Sequence, residues 1–116
     1  MSQPSILVYG RDARLLETRR WVLEQETSRV WTAVTLSQFD LLESDDPIDL
    51  LILCHSLSTE DCEPAIALAT ARWPGIKILA LFAGMKGCHP GSFAGAEDAA
   101  RGPAHLLKAV AQLVAA

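Results

Sequence analysis

Along the chain, short runs that are apolar throughout alternate with longer segments in which apolar residues recur every three or four positions. "SILVYG", ended by Gly10, reads as a strand buried on both faces, because a half-exposed strand would alternate apolar with polar residues. After it, Leu15, Leu16, Val22 and Leu23 fall on one helical stripe, Arg14, Glu17, Arg20 and Glu24 lie away from it, and Asp12 suits the N-cap. "SRVWTAV" has strand composition, and "LSQFDLLES" predicts a short helix with Leu36, Phe39 and Leu42 on its apolar side. The "DDP" turn at 45–47 introduces a third strand, "DLLILCHSLS", which runs out into a polar loop. The next helix, from about Thr59 to Arg72, carries Cys62, Ala65, Ile66 and Ala69 at stripe spacing. Its Pro64 is expected in the first turn, where a missing N–H is tolerated. "WPG" at 73–75 stops that helix, "IKILALFAG" is a fourth buried strand, and "MKGCHPGSF" is a Gly- and Pro-rich loop. After Pro103, Leu106, Leu107, Val110, Leu113 and Val114 form a final stripe, with His105, Lys108 and Gln112 facing away.

Apolar strands separated by amphipathic helices imply an α/β domain, a parallel sheet covered on both faces. The 116 residues fit one such domain, 1–116, and half of them are apolar, enough for one core. A net charge of −4 and a pI near 5.2, with ten scattered Lys and Arg, exclude a phosphate-backbone partner, so no nucleic acid is expected. No apolar run is long enough to span a bilayer and the N-terminus lacks a signal-peptide pattern, so no membrane partner and a cytoplasmic location are expected. Cys54, Cys62 and Cys88 are odd in number and show no CxxC spacing, which suggests neither a disulfide framework nor a zinc knuckle.

The order of these elements and several phrases resemble the receiver domain of two-component response regulators. "ILVYGRDARLLETRRWVLEQE" is similar to that family's first strand and helix, and "PIDLLILC" to its third strand. "RWPGIKILALFA" resembles the run into its fourth strand, and "AGAEDAARGP" the approach to its fifth. The resemblance implies a flavodoxin-like, doubly wound five-stranded parallel sheet in the order 2-1-3-4-5. Only about ten residues join Ala83 to Ala94, so the helix between the fourth and fifth strands should be shortened or missing.

A working receiver uses an acidic pair to hold magnesium, an aspartate to accept phosphoryl, and a hydroxyl and a lysine to contact it. A hard cation needs carboxylate oxygens, and the transferred group needs its charge neutralised from several sides. In this chain the resemblance assigns the acidic pair to Gly10 and Arg11, leaving Asp12 nearby, and the acceptor to Cys54. The hydroxyl position falls on Phe82 and the lysine on Gly102. The resemblance thus implies a pseudo-receiver: a degenerate phosphorylation pocket without catalytic residues, metal or other cofactor, and not an enzyme. Its function would then be that of a non-phosphorylatable signalling module acting through protein–protein interaction, with a protein partner or a homodimer.

Cys54 and His55 admit three readings. Cys54 can be a small buried filler with His55 turned to the other side of the strand. The "CH" pairs at 54–55 and 88–89 can form a soft metal or redox site at the carboxyl edge of the sheet, or Cys54 can be a thiolate activated by Arg11 or a histidine. The last two define an alternative function, a small-ligand, metal or thiol sensor around Arg11, Cys54 and Cys88. Trp31 and Trp73 read as packing residues. Trp21 lies opposite its helix's stripe and is either a surface residue or an interface anchor; Met85 and Phe93 are the other candidate interface residues, left partly exposed by their loop.

Overall fold

The apolar runs become parallel strands in a computed structural model that describes residues 4–25, 29–40, 42, 47–87, 95–98 and 101–115. Strands β1 (Ser5–Tyr9), β2 (Arg29–Ala33), β3 (Leu50–Leu53) and β4 (Lys77–Ala83) line up as β2-β1-β3-β4, all parallel. Helices α1 (Ala13–Glu24), α2 (Ser37–Asp40) and α3 (Thr59–Arg72) connect them. Two further short strands, β5 (Lys86–Gly87) and β6 (Gly95–Asp98), precede the last helix, α4 (Pro103–Ala115). No helix among the described residues is long and apolar enough to cross a membrane.

Because successive side chains of a strand point to opposite faces, each apolar run feeds two cores. Leu7, Tyr9, Leu51, Leu53 and Ala80 pack with Phe39, Ala65, Ala69 and Trp73 on the α2/α3 side. Ile6, Val8, Leu50, Ile52, Cys54, Leu79 and Leu81 pack with Leu16, Leu23, Leu106 and Val110 on the α1/α4 side. Trp73 is buried and Trp31 half-buried, both as packing residues.

Two features differ from the expectations. Pro64 is the sixth residue of α3 rather than part of its first turn. The bond it cannot donate would go to the Glu60 carbonyl, and Pro64 lies on the exposed side of the helix, where water can serve that oxygen. The second difference is that β5 runs antiparallel, so the strands are not all parallel. After Ala83 the chain reverses over Gly84 and Met85, with Gly84 at φ +61°, and pairs Phe82 with Gly87 and Ala83 with Lys86. A positive φ at the first turn residue is what a two-residue hairpin needs, and glycine supplies it without a steric cost. Strand β6 lies parallel to β4 and pairs Phe82 with Asp98. Phe82 thus has a neighbour on each side, and β5 lies on the β3 side, continuing the line of β3 past its end. The expected shortening or loss of the helix before the last strand falls on 88–94, outside the described residues. Cys88, His89 and Phe93 lie there too.

Candidate functional site

The carboxyl edge of the sheet gathers the ends of β1, β3 and β4, the first turns of α1 and α3, and the β4–β5 hairpin. Gly10 follows β1 and its N–H donates to the Ala33 carbonyl at 3.2 Å. A Cβ at Gly10 would lie 2.9 Å from the Cβ of Cys54 and 3.0 Å from Ser56 Oγ, so this backbone approaches the end of β3 more closely than any side chain allows. Asp12 is the N-cap of α1, its Oδ1 accepting from the N–H groups of Arg14 at 3.0 Å and Leu15 at 3.3 Å.

Arg11 ties three loops together. Its backbone N–H donates to Ser56 Oγ at 3.0 Å, Nη1 to the Val34 carbonyl at 3.4 Å, and Nη2 to Asp61 Oδ1 at 2.6 Å. Asp61 is the third residue of α3 and closes a capping box with Ser58: its Oδ2 accepts from Ser58 N–H while Ser58 Oγ accepts from Asp61 N–H. The Arg11 bond, followed by the Ser58 backbone N–H, holds the Asp61 carboxyl down to about 2. A carboxyl depressed in the folded state stabilises it above the unfolded-state range near 4 and loses that contribution as pH falls toward 2. Asp61→Asn should therefore flatten the wild-type loss of thermal stability across that acid range, which a melting series in pH checks. An equally steep loss in the variant would assign the effect to other carboxyls.

Cys54 is fully buried at the end of β3, its N–H donating to the Tyr9 carbonyl at 2.9 Å. Burial pushes its thiol up to about 11 against the pull of the Arg19 guanidinium. Arg19 extends from α1 to this point: Nη2 lies 3.3 Å from His55 Nδ1, and the buried Nη1 has no hydrogen-bond partner among the described residues. Over this edge lies β5. A Cβ on Gly87, which has φ +107°, would sit 2.6 Å from the Leu81 carbonyl oxygen and 3.3 Å from His55 Cα. The hairpin backbone therefore lies directly against the residue that follows Cys54. A groove of about 590 Å³ remains beside it, bordered by Asp12, Leu15, His55, Ser58, Met85 and Gly87 among others.

Of the sequence-predicted residues, Gly10, Arg11, Asp12 and Cys54 thus meet at one edge, and Phe82 sits in β4 with the hairpin paired against it. Gly102 serves as the N-cap of α4, with φ +91° and a carbonyl accepting from Leu106 N–H at 3.3 Å. Trp21 and Met85 are exposed, at 69% and 88%.

No family model matches the sequence, and no curated protein is similar to it. Solved structures are. The receiver domain of HemR from Leptospira biflexa superimposes with a TM-score of 0.77 at 21% identity, over 98% of this chain and 96% of that one. A response regulator from Thermotoga maritima gives 0.74 at 14% identity, over 99% and 100%. The receiver domain of a LuxO repressor-like protein from Vibrio parahaemolyticus gives 0.75 at 12% identity, over 98% and 92%. The chain has the receiver fold. At this identity the likeness is one of architecture, and the chemistry has to be argued from the side chains present.

Sequence reasoning missed Arg19 and Asp61. Arg19 stands three residues after Leu16 and four before Leu23, in the middle of the buried stripe, so its spacing was a usable signal. The Ser58–Asp61 spacing announces a capping box, but the 50-residue separation between Arg11 and Asp61 left their pairing without a local sign.

Proposed function

We propose that this chain is a receiver-like signalling module that takes no phosphoryl group at the receiver position and acts through protein contacts. The observation that carries the reading is the state of Cys54: a fully buried, neutral thiol where a receiver presents an aspartate, with the Gly87 backbone laid across the end of its strand. A receiver's magnesium does not fit the donor set. Arg11 brings a cation to the metal position, Asp61 is engaged by Arg11 and Ser58, and the Asp12 Oδ1 is committed to helix N–H groups. Among the described residues no three His, Cys, Asp or Glu side chains are placed to share an ion. A hard divalent cation gains nothing beside a guanidinium. The same burial argues against the thiol-sensor reading, because the thiolate is the reactive form and here it is disfavoured. Beryllofluoride with magnesium, followed by amide chemical shifts, should leave the residues around Cys54 unmoved; saturable shifts there would end the reading.

Without a phosphorylation switch the output surface is constitutive. The clearest anchor on the described surface is Trp21, exposed on α1, a helix that also carries the Arg20–Glu24 and Arg20–Glu17 ion pairs. Rigid aromatics at an interface contribute about 2 kcal/mol or more when fully desolvated. In the homodimer form of the proposal, sedimentation of the wild type across a concentration series shows association that Trp21→Ala weakens at least tenfold, about 1.4 kcal/mol. If both remain monomers at the highest concentration, self-association is excluded and the partner is a different protein.

A further inference from the structure

We propose that Cys62 of α3 and Cys88, the residue after β5, form a reversible disulfide that ties the β4–β5 hairpin to the start of α3. Cys62 is disulfide-bonded and Cys54 is free. The chain has three cysteines, so the partner of Cys62 within the chain is Cys88. Cys88 lies outside the described residues and enters by this count and by its place directly after Gly87. Cysteine spacing along the sequence carries no sign of the pairing. Cys54 does not compete for it, because β3 buries Cys54 on the α1/α4 side of the sheet while Cys62 packs on the α2/α3 side.

A disulfide spans about 5.5–6 Å between Cα atoms and neighbouring Cα atoms are about 3.8 Å apart, so Gly87 has to lie within about 10 Å of Cys62. The described residues agree with that reach. Gly87 borders the same groove as Ser56, Leu57, Ser58 and Thr59, the segment that opens α3, and a Cβ on it would sit 3.3 Å from His55 Cα. Cys62 reaches back to this segment, with Sγ 3.1 Å from the Ser58 carbonyl oxygen. That oxygen accepts the thiol proton once the bond is reduced, so the buried sulfur is accommodated in both states. The bond forms by exchange with a small-molecule disulfide. One cysteine thiolate attacks it and displaces a thiolate, and the other cysteine then attacks the mixed disulfide and displaces the second. The cysteine pair loses two electrons, the small disulfide gains them, and the two cysteine protons end on the released thiols. β5 is only Lys86 and Gly87, paired with Ala83 and Phe82, and a strand so short holds weakly by its backbone alone. Oxidation anchors it across the carboxyl edge, and reduction removes that tie while both cores stay in place. In a compartment kept reduced such a bond is transient, so the hold on the hairpin follows the thiol–disulfide balance. This goes beyond the proposed function and does not rest on it, since the bond closes whether or not the edge accepts a phosphoryl group.

Two measurements test it on the intact chain. After incubation with oxidised glutathione, the protein is unfolded in denaturant with an alkylating agent and weighed. Without reductant only Cys54 should be alkylated, on a monomer lighter by two hydrogens; with reductant all three cysteines should be, and digestion of the oxidised form should yield the Cys62 and Cys88 peptides joined. Three alkylated cysteines without reductant, a glutathione adduct that does not resolve, a bond through Cys54 or a bond between two chains would overturn the proposal. Reductant should also lower the Tm of the oxidised wild type by on the order of 5 °C and leave that of Cys88→Ser unchanged. Equal shifts in the two proteins, or none in either, would overturn the tie between hairpin and helix.

Discussion

Gly87→Val should be among the most damaging substitutions in the chain, lowering stability by about 3 kcal/mol or more and Tm by on the order of 10 °C. Two costs combine. At φ +107° a β-branched residue is held in backbone conformation that L side chains rarely adopt. Its Cβ would also lie 2.6 Å from the Leu81 carbonyl oxygen and 3.1 Å from Phe82 Cα, both backbone atoms of β4 that cannot move aside without breaking the sheet. The effect is specific to the hairpin lying on the edge of the sheet. A thermal melt that shows less than about 1 kcal/mol of loss would mean that β5 does not pack over His55 as described.

The second large effect concerns restoration of a receiver's residues. Gly10→Asp should destabilise by about 2–4 kcal/mol, from overpacking and from a carboxylate taken out of water. The new Cβ meets Cys54 Cβ at 2.9 Å and Sγ at 3.3 Å, and Gly10 itself is buried. Gly10→Ala isolates the packing part, about 1–3 kcal/mol. Combined with Cys54→Gly, which removes the two Cys54 atoms and leaves only Ser56 Oγ at 3.0 Å, Gly10→Ala should cost less than it does alone, and denaturant unfolding of the two single variants and the double measures the coupling. Additive losses would show that Gly10 and Cys54 do not constrain each other.

Much of the fold was legible because each strand is apolar on both faces. A run such as Leu50–Leu53 fits only the middle of a covered parallel sheet, and the stripe of Leu106, Val110 and their neighbours fits only a helix lying on it. The hairpin was not legible in this way. "GMKG" reads as loop by composition, and the backbone pairing of Gly87 with Phe82 leaves no trace in side-chain periodicity. Of the candidate site, Gly10, Arg11 and Cys54 were named from the sequence, and the structure brings Gly10 against Cys54 and the Arg11 N–H onto Ser56. The contacts around them were not legible, because they span 36 and 50 residues, Arg19 to His55 and Arg11 to Asp61. The arginine that acts on the Cys54 thiol is Arg19, on α1.

The receiver fold does not by itself carry the receiver's reaction, since one fold in general hosts more than one function. The most direct measurement is intact-protein mass after incubation with acetyl phosphate and magnesium, compared with a phosphorylatable receiver treated in parallel. A buried thiol, a guanidinium at the metal position and a backbone lid predict no added mass at any time point. A gain of one phosphoryl group, mapped to the carboxyl edge of the sheet, would contradict the account.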